Sequence, residues 1–112
     1  FEQFARPFMR QLGMPTVFCH RLIVKDDVID DYELRQVNQK QKAVEAFRGL
    51  NYRVAAAGDS YNDTTMLGEA DVGFLIHAPQ NVIDEFPQFK SVANLEELKV
   101  AFVEASNRKL TL

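Results

Sequence analysis

Residues 53–67 constrain the fold of this 112-residue chain more than any other stretch. An apolar run over residues 54–57 ends in Gly58-Asp59, and apolar side chains resume with helical spacing at Met66. That order predicts a buried strand, then a tight polar turn, then a helix. In open α/β sheets, ligands bind in the crevice at the carboxyl ends of the strands. We therefore expect an α/β fold with its chemistry in this turn.

Two aspartates flank the turn. Asp59 follows the strand directly, and Asp63 lies close to the start of the predicted helix, where the helix dipole and free N–H groups favour a carboxylate. Ordinary turn and N-cap chemistry accounts for this pattern as well as a functional site does. Magnesium is usually held by one or two carboxylates together with waters and substrate phosphate. Asp59 suits a ligand position, and Asp63 suits the orientation of a bound water or the support of the loop.

Apolar spacing predicts further helices and strands in the amino-terminal half. Six apolar residues near the start recur on one helical face, which we interpret as core packing. A short strand over residues 16–20 follows, and then an antiparallel hairpin over residues 21–36 with a solvated acidic turn. An amphipathic helix begins near Lys40 and Lys42. The six residues of the amino-terminal stripe are Phe1, Phe4, Ala5, Phe8, Met9 and Leu12.

The carboxyl-terminal third continues the alternation of strands and helices. Residues 71–76 predict a strand parallel to the one over residues 52–57, and one helical turn follows near Val82. Asn94 and Glu97 have the spacing of a capping box at the start of a final helix. The buried face predicted for this helix consists of Leu95, Leu98, Phe102 and Ala105. The residues predicted to complement the dipole at its end are Arg108 and Lys109.

Composition excludes several classes of function. The net charge is −3, the pI is near 5.3 and 46% of the residues are hydrophobic, which indicates one globular unit and offers no basic field to nucleic acid. Apolar runs are far shorter than the roughly 20 residues of a membrane helix. Cys19 is the single cysteine, so no internal disulfide can form, and we expect a small buried thiol and a cytoplasmic protein. The oligomeric state is not predicted by the sequence.

The string over residues 58–67 resembles the last signature motif of haloacid dehalogenase-like phosphohydrolases, in the Gly-Asp-x-x-Asn-Asp-x-x-Met form of phosphoserine phosphatases. The resemblance implies a three-layer, Rossmann-type parallel sheet, incomplete here, with the antiparallel hairpin at residues 21–36. The hairpin and residues 77–89 look most like the branch of bifunctional phosphoserine phosphatase/homoserine phosphotransferase proteins. Such enzymes use magnesium, take phosphate from phosphoserine onto an aspartate, and pass it to water or to homoserine.

The resemblance also implies roles for four residues. Lys40 looks like the phosphate-binding lysine of the family, with Lys42 as the alternative because it lies further into the helix. Asp59 looks like the metal ligand of the last motif, and Asn62 like the asparagine that contacts substrate phosphate. Asp63 resembles the second acidic residue of the motif. We therefore expect Lys40, Asp59 and Asp63 to be catalytic, and Lys40 and Asn62 to bind substrate.

The attacking group of the family comes from an Asp-x-Asp-type signature on a central strand, and this chain contains no Asp-x-Asp. We therefore expect residues 1–112 to form the carboxyl-terminal part of a haloacid dehalogenase-like core domain, inactive alone, with the nucleophile encoded elsewhere. Two alternatives stay open. The chain could instead serve a phosphatase for another small phosphomonoester, or be a non-catalytic module that binds phosphate or a partner.

Overall fold

A computed structural model describes residues 1–106 of the chain. The chain forms two compact units, Phe1–Gln39 and a second that begins at Lys40. The elements in chain order are α1 (Glu2–Gln11), β1 (Arg21–Lys25), β2 (Val28–Glu33), α2 (Gln39–Gly49), β3 (Ala55–Gly58), a 3₁₀ turn (Tyr61–Asp63), α3 (Thr64–Glu69), β4 (Val72–Ile76), α4 (Gln80–Glu85), β5 (Lys90–Val92) and α5 (Leu95–Ser106).

The hairpin of the first unit has the predicted antiparallel pairing. Lys25 of β1 lies opposite Val28 of β2, so Asp26 and Asp27 alone make the reversal. Their φ angles are +50° and +58°, the left-handed geometry that a type I′ hairpin turn requires at both positions. The acidic turn is solvent-exposed, as predicted.

The predicted strand over residues 16–20 is wrong, because the structure has irregular backbone there. In the first unit, the only paired strands are β1 and β2, so no neighbour offers a hydrogen-bonding ladder to these residues. The carbonyl of His20 accepts a hydrogen bond from the N–H of Glu2 at 2.7 Å instead. Cys19 is accordingly half-buried in an irregular segment, not buried in a strand.

The amino-terminal stripe was expected to be core, and this too is wrong for most of its residues. Phe4, Phe8 and Leu12 are 61%, 65% and 70% exposed, and α1 contains no buried residue. Helical spacing placed these side chains on one face, but the first unit offers only a two-stranded hairpin to cover that face. The helix ends at Gln11, and Gly13 follows it with the left-handed φ of +80° that is common after helices.

A parallel sheet in the order β3-β4-β5 organises the second unit. Neighbouring residues on β4 point to opposite faces, and each face has its own buried cluster. Leu75 packs with Leu67 of α3 and Val82 of α4, and Phe74 packs on the other face with α5. Helices therefore cover both faces, which is the predicted three-layer arrangement. The residues that join Phe74 in its cluster are Val92 and Ala101.

Three details of this unit differ from what the sequence predicts. The strand β3 begins at Ala55, and β5 was not predicted because three residues are too few to show periodicity. On α5, Leu95 and Phe102 are exposed, and the buried residue of that helix is Ala101. Apolar spacing defined a helical face but not which part of that face meets the sheet.

The cap of α5 is as predicted, since the Glu97 N–H donates to Asn94 Oδ1 at 2.9 Å. Arg108 and Lys109 lie outside the described residues. No helix within residues 1–106 is long and apolar enough to cross a membrane.

Candidate functional site

The loop after β3 folds back tightly on the end of that strand. Asp63 is 4% exposed, and a Cβ atom built on Gly58 would lie 2.4 Å from the Cβ of Asp63. No side chain other than hydrogen fits in that space, so glycine at position 58 permits the carboxylate to pack under the strand end. The sequence showed both residues but gave no sign of this contact.

Both carboxylate oxygens of Asp63 accept hydrogen bonds. Oδ1 lies 2.5 Å from Nζ of Lys40, and Oδ2 accepts from the N–H of Asp59 at 3.1 Å and from Oγ of Ser60 at 3.3 Å. Burial by itself would raise the pKa of Asp63. The hydrogen bond and positive charge of Lys40, with donors on Asp59 and Ser60, outweigh burial and hold the pKa below its ordinary value. Asp63 is therefore an anion that organises the loop.

Lys40 enters the site from the first turn of α2, and its side chain is 59% exposed. A cation is mildly unfavourable at a helix N-terminus, and the contact with Asp63 offsets that effect. Lys42, the alternative choice, pairs with Glu45 on its own helix at 3.2 Å. The structure therefore joins Lys40, and not Lys42, to the loop.

Asp59 and Asn62 lie on the open side of the loop. Both residues are exposed, and neither side chain makes a hydrogen bond to the described residues. Asp59 is connected to Lys40 through Asp63, because its N–H and Nζ of Lys40 donate to the two oxygens of one carboxylate. The four predicted site residues thus belong to one loop and the lysine that contacts it. Three of them present a carboxylate, an amide and an amine to solvent.

Tyr61 and Thr64, to which the sequence motif assigned no role, hold the 3₁₀ turn in place. The hydroxyl of Thr64 donates to the carbonyl of Tyr61 at 2.8 Å. The Tyr61 hydroxyl bonds to Glu85 at 3.3 Å, and its ring meets Phe86 edge-on at 5.6 Å. These contacts tie the turn to α4. Tyr61 carries no pattern in the sequence that distinguishes it from a solvent-exposed turn residue.

The loop has side chains that could provide part of a magnesium site. Magnesium keeps several waters and is held by one or two carboxylates plus phosphate. Asp59 has a free carboxylate for one ligand position, whereas both oxygens of Asp63 are engaged by protein donors. No group of three or more metal-ligating His, Cys, Asp or Glu side chains occurs within residues 1–106. Within residues 1–106, the loop therefore offers magnesium one free carboxylate, that of Asp59.

The chain has no Asp-x-Asp, but it has one Asp-x-Glu sequence, at Asp31-Tyr32-Glu33. This sequence has to be considered as a source of the attacking carboxylate. These residues lie on β2, which is exposed along its length and pairs antiparallel with β1. Asp31 bonds to the N–H of its neighbour Tyr32 at 2.8 Å. They are not at the carboxyl end of a parallel strand, where ligands bind in open α/β sheets.

Comparison with known proteins gives a consistent result. No family model matches the chain. Over its whole length it is 59% identical to a protein of Pseudomonas syringae pv. tomato named phosphoserine phosphatase, and 57% identical to a Pseudomonas aeruginosa protein named phosphoserine phosphatase ThrH. Both proteins are therefore homologues of this chain over the segment that it matches. The chain covers 48% of the first relative and 55% of the second, so it spans about half the length of the proteins it matches.

A solved structure supports the fold. The match is to a substrate-bound phosphoserine phosphatase complex, with a TM-score of 0.72 at 24% identity, and covers 90% of this chain and 51% of that one. At this identity the likeness concerns the fold. The parallel sheet with its antiparallel hairpin is therefore the haloacid dehalogenase-like arrangement, as the sequence motif implied.

Proposed function

We propose that this chain supplies the phosphate-binding and metal-binding loop of a magnesium-dependent phosphoserine phosphatase. The observation that carries the proposal is the linkage of Lys40 and Asp59 through buried Asp63. The names of the two Pseudomonas relatives support phosphoserine as the substrate.

Each exposed group has a distinct task in this proposal. Lys40 places a compact positive charge beside a phosphoryl oxygen, and the amide of Asn62 donates to another. Asp63 holds the lysine and the loop in position without contacting the substrate. Asp59 contributes one oxygen to magnesium, which when bound neutralises charge on the phosphoryl group. The preorganised charges lower the barrier because they need little rearrangement as the reaction proceeds.

The attacking carboxylate and the general acid/base lie outside the 112 residues in this proposal, since the chain has no Asp-x-Asp and its one Asp-x-Glu is on an exposed antiparallel strand. The phosphoryl group passes to an aspartate and then to water. Transfer to homoserine, the cytoplasmic location and the carboxyl-terminal place of the chain in its domain are parts of the proposal that follow from the resemblance.

A chimeric enzyme tests the function. The matching 113-residue segment of the Pseudomonas aeruginosa relative is replaced by this chain, and phosphate release from phosphoserine is measured with magnesium and with a chelator. Turnover that requires magnesium is expected. Asp59→Asn should lower kcat/KM by about 100-fold or more. Changing a residue that only supports a metal ligand already costs about 10- to 100-fold in activity, and loss of the ligand itself should cost more. Asp84→Asn, an exposed change on α4, is the matched control.

Other outcomes would decide against the proposal. Faster hydrolysis of a different small phosphomonoester than of phosphoserine would favour the alternative substrate class. Full activity of Asp59→Asn would remove Asp59 from the metal site. The 112-residue chain alone should release no phosphate, and steady turnover by it would show that no outside nucleophile is needed.

A further inference from the structure

A polar groove lies within the first unit. It has a volume of about 370 Å³, and its walls include three arginines, Arg6, Arg21 and Arg35, and two glutamates, Glu2 and Glu33. All of these residues belong to α1, to the hairpin or to the segment directly after it. The groove contains none of the residues assigned to the phosphatase site.

The three arginines share one pattern of hydrogen bonding. Nε of Arg6 lies 3.3 Å from Glu2 Oε2, and Nε of Arg21 lies 2.9 Å from Glu2 Oε1. Nε of Arg35 donates to Gln39 Oε1 at 3.0 Å. The terminal Nη atoms of these three side chains make no hydrogen bond to the described residues. Each guanidinium group is thus positioned through one nitrogen and keeps its paired donors for another acceptor.

Arg35 is the best positioned of the three. Its guanidinium carbon lies 4.9 Å from the centroid of the Phe18 ring, a cation–π contact, and its backbone N–H donates to His20 Nδ1 at 2.9 Å. With the bond to Gln39, these contacts fix both the backbone and the plane of the side chain. A fixed planar donor pair is the feature that distinguishes arginine from lysine in binding phosphate and carboxylate groups.

The charges around the groove favour an anion. Three guanidinium groups face two carboxylates, although the whole chain has a net charge of −3. Glu2 is committed to the arginines, because the hydrogen bond from Arg6, with the bond and charge of Arg21, keeps the pKa of Glu2 below its ordinary value despite the opposing effect of desolvation. With Glu2 and Glu33 counted against the three arginines, the groove keeps one net positive charge.

We infer that this groove binds a phosphate monoester dianion through the Nη atoms of Arg6, Arg21 and Arg35. The groove shares no residue with the loop after β3, and the inference does not depend on the proposed function. The phosphate accepts paired hydrogen bonds from the Nη atoms of at least one arginine. Glu2 holds the guanidinium groups of Arg6 and Arg21 in place.

The test is a titration of the 112-residue chain with inorganic phosphate at constant ionic strength, with chloride as the reference anion. The side-chain Nε–H signals of the arginines are followed by NMR. Signals of Arg6, Arg21 and Arg35 should shift along one saturating curve. The backbone signals of Asp59 and Asn62 report phosphate at the loop and are fitted separately, so failure of one site is distinguished from failure of the other.

Variants sharpen the result. Arg35→Lys and Arg21→Lys keep the charge but lose the fork, and each should weaken phosphate binding by about fivefold or more. Arg10→Lys, an exposed change on α1 outside the groove, should leave the affinity unchanged. Unchanged affinity in both Arg35→Lys and Arg21→Lys would overturn the inference. Equal losses in all three variants, or shifts that never saturate, would do so as well, because they indicate diffuse charge attraction.

Discussion

Nζ of Lys40 lies 2.5 Å from Oδ1 of Asp63, although 23 residues separate the two in the chain. The side chain of Lys40 is 59% exposed and that of Asp63 is 5% exposed, so the pair joins a solvated charge to a buried one. The carboxylate fixes the amine at the mouth of the loop, and the amine keeps enough exposed surface to meet a phosphoryl group.

Asp63→Asn should lower the free energy of unfolding by about 1–3 kcal/mol, the usual effect of losing a charged hydrogen-bond acceptor in a buried place. The amide has nearly the same size, so the loss comes from charge and hydrogen bonding and not from a cavity. Urea unfolding of the 112-residue chain measures it. Asp59→Asn is the matched control and should change stability by less than about 0.5 kcal/mol, because Asp59 is exposed. Equal effects of the two changes would contradict the organising role of Asp63.

The lowered pKa of Asp63 predicts how stability varies with pH. A carboxyl group whose pKa is lower in the folded state stabilises that state fully above its unfolded pKa, and the contribution disappears as the pH falls through the folded value. The difference in unfolding free energy between the natural chain and Asp63→Asn should therefore be constant above about pH 5 and shrink toward lower pH. Unfolding curves from about pH 2 to 7 measure it. A difference that grows on acidification would have the wrong sign.

Gly58→Ala should displace Asp63, because the new methyl group would lie 2.4 Å from the Cβ of that residue. Overpacking of this kind costs about 1–3 kcal/mol. In the chimeric enzyme the same change should also lower phosphoserine turnover, since the loop can no longer close on the strand end. Gly49→Ala at the end of α2 has open space around it and should be neutral or stabilising by up to about 1 kcal/mol. If Gly58→Ala behaved like Gly49→Ala, the close approach of the loop would be wrong.

Asp27→Gly should stabilise the hairpin. Asp27 adopts a φ of +58°, which glycine reaches without strain, and Asp-Gly is a preferred pair for two-residue turns. Left-handed geometry costs a residue with a Cβ atom about 1–2 kcal/mol, and the flexibility of glycine in the unfolded chain offsets part of its relief, so the net gain should be no more than about 1 kcal/mol. Asp27→Val places a branched side chain in the same left-handed geometry and should destabilise the chain. Thermal unfolding followed by circular dichroism compares the two, and the reverse order would contradict the turn geometry.

The elements with dense, regular patterns could be predicted from the sequence. The hairpin within residues 21–36 has the acidic turn that was expected, and the strand before Gly58 leads into a polar turn and a helix. Each of these depends on backbone preferences within a few residues. The strand over residues 16–20 and the buried stripe of α1 could not be predicted correctly, because both depend on what another part of the structure places beside them.

The same division holds for the candidate site. The motif grouped Asp59, Asn62 and Asp63, and the family resemblance added Lys40. Only the three-dimensional structure shows that the carboxylate of Asp59 is exposed and that of Asp63 is buried. Tyr61 was missed because its role depends on Glu85, 24 residues away. The arginine groove was missed for the same reason, since Glu2 and Arg21 are 19 residues apart.

The ion pair between α2 and the loop has a thermodynamic consequence. Its partners are brought together only when the segment between them has folded, so an unstructured polypeptide has no equivalent of the site proposed for phosphate and magnesium. By mass action, a ligand that binds only the native form raises the melting temperature. At a concentration of 100 times its Kd, such a ligand adds about 2.7 kcal/mol to the free energy of unfolding. A thermal-shift screen of phosphorylated amino acids can therefore rank ligands before any turnover is measured.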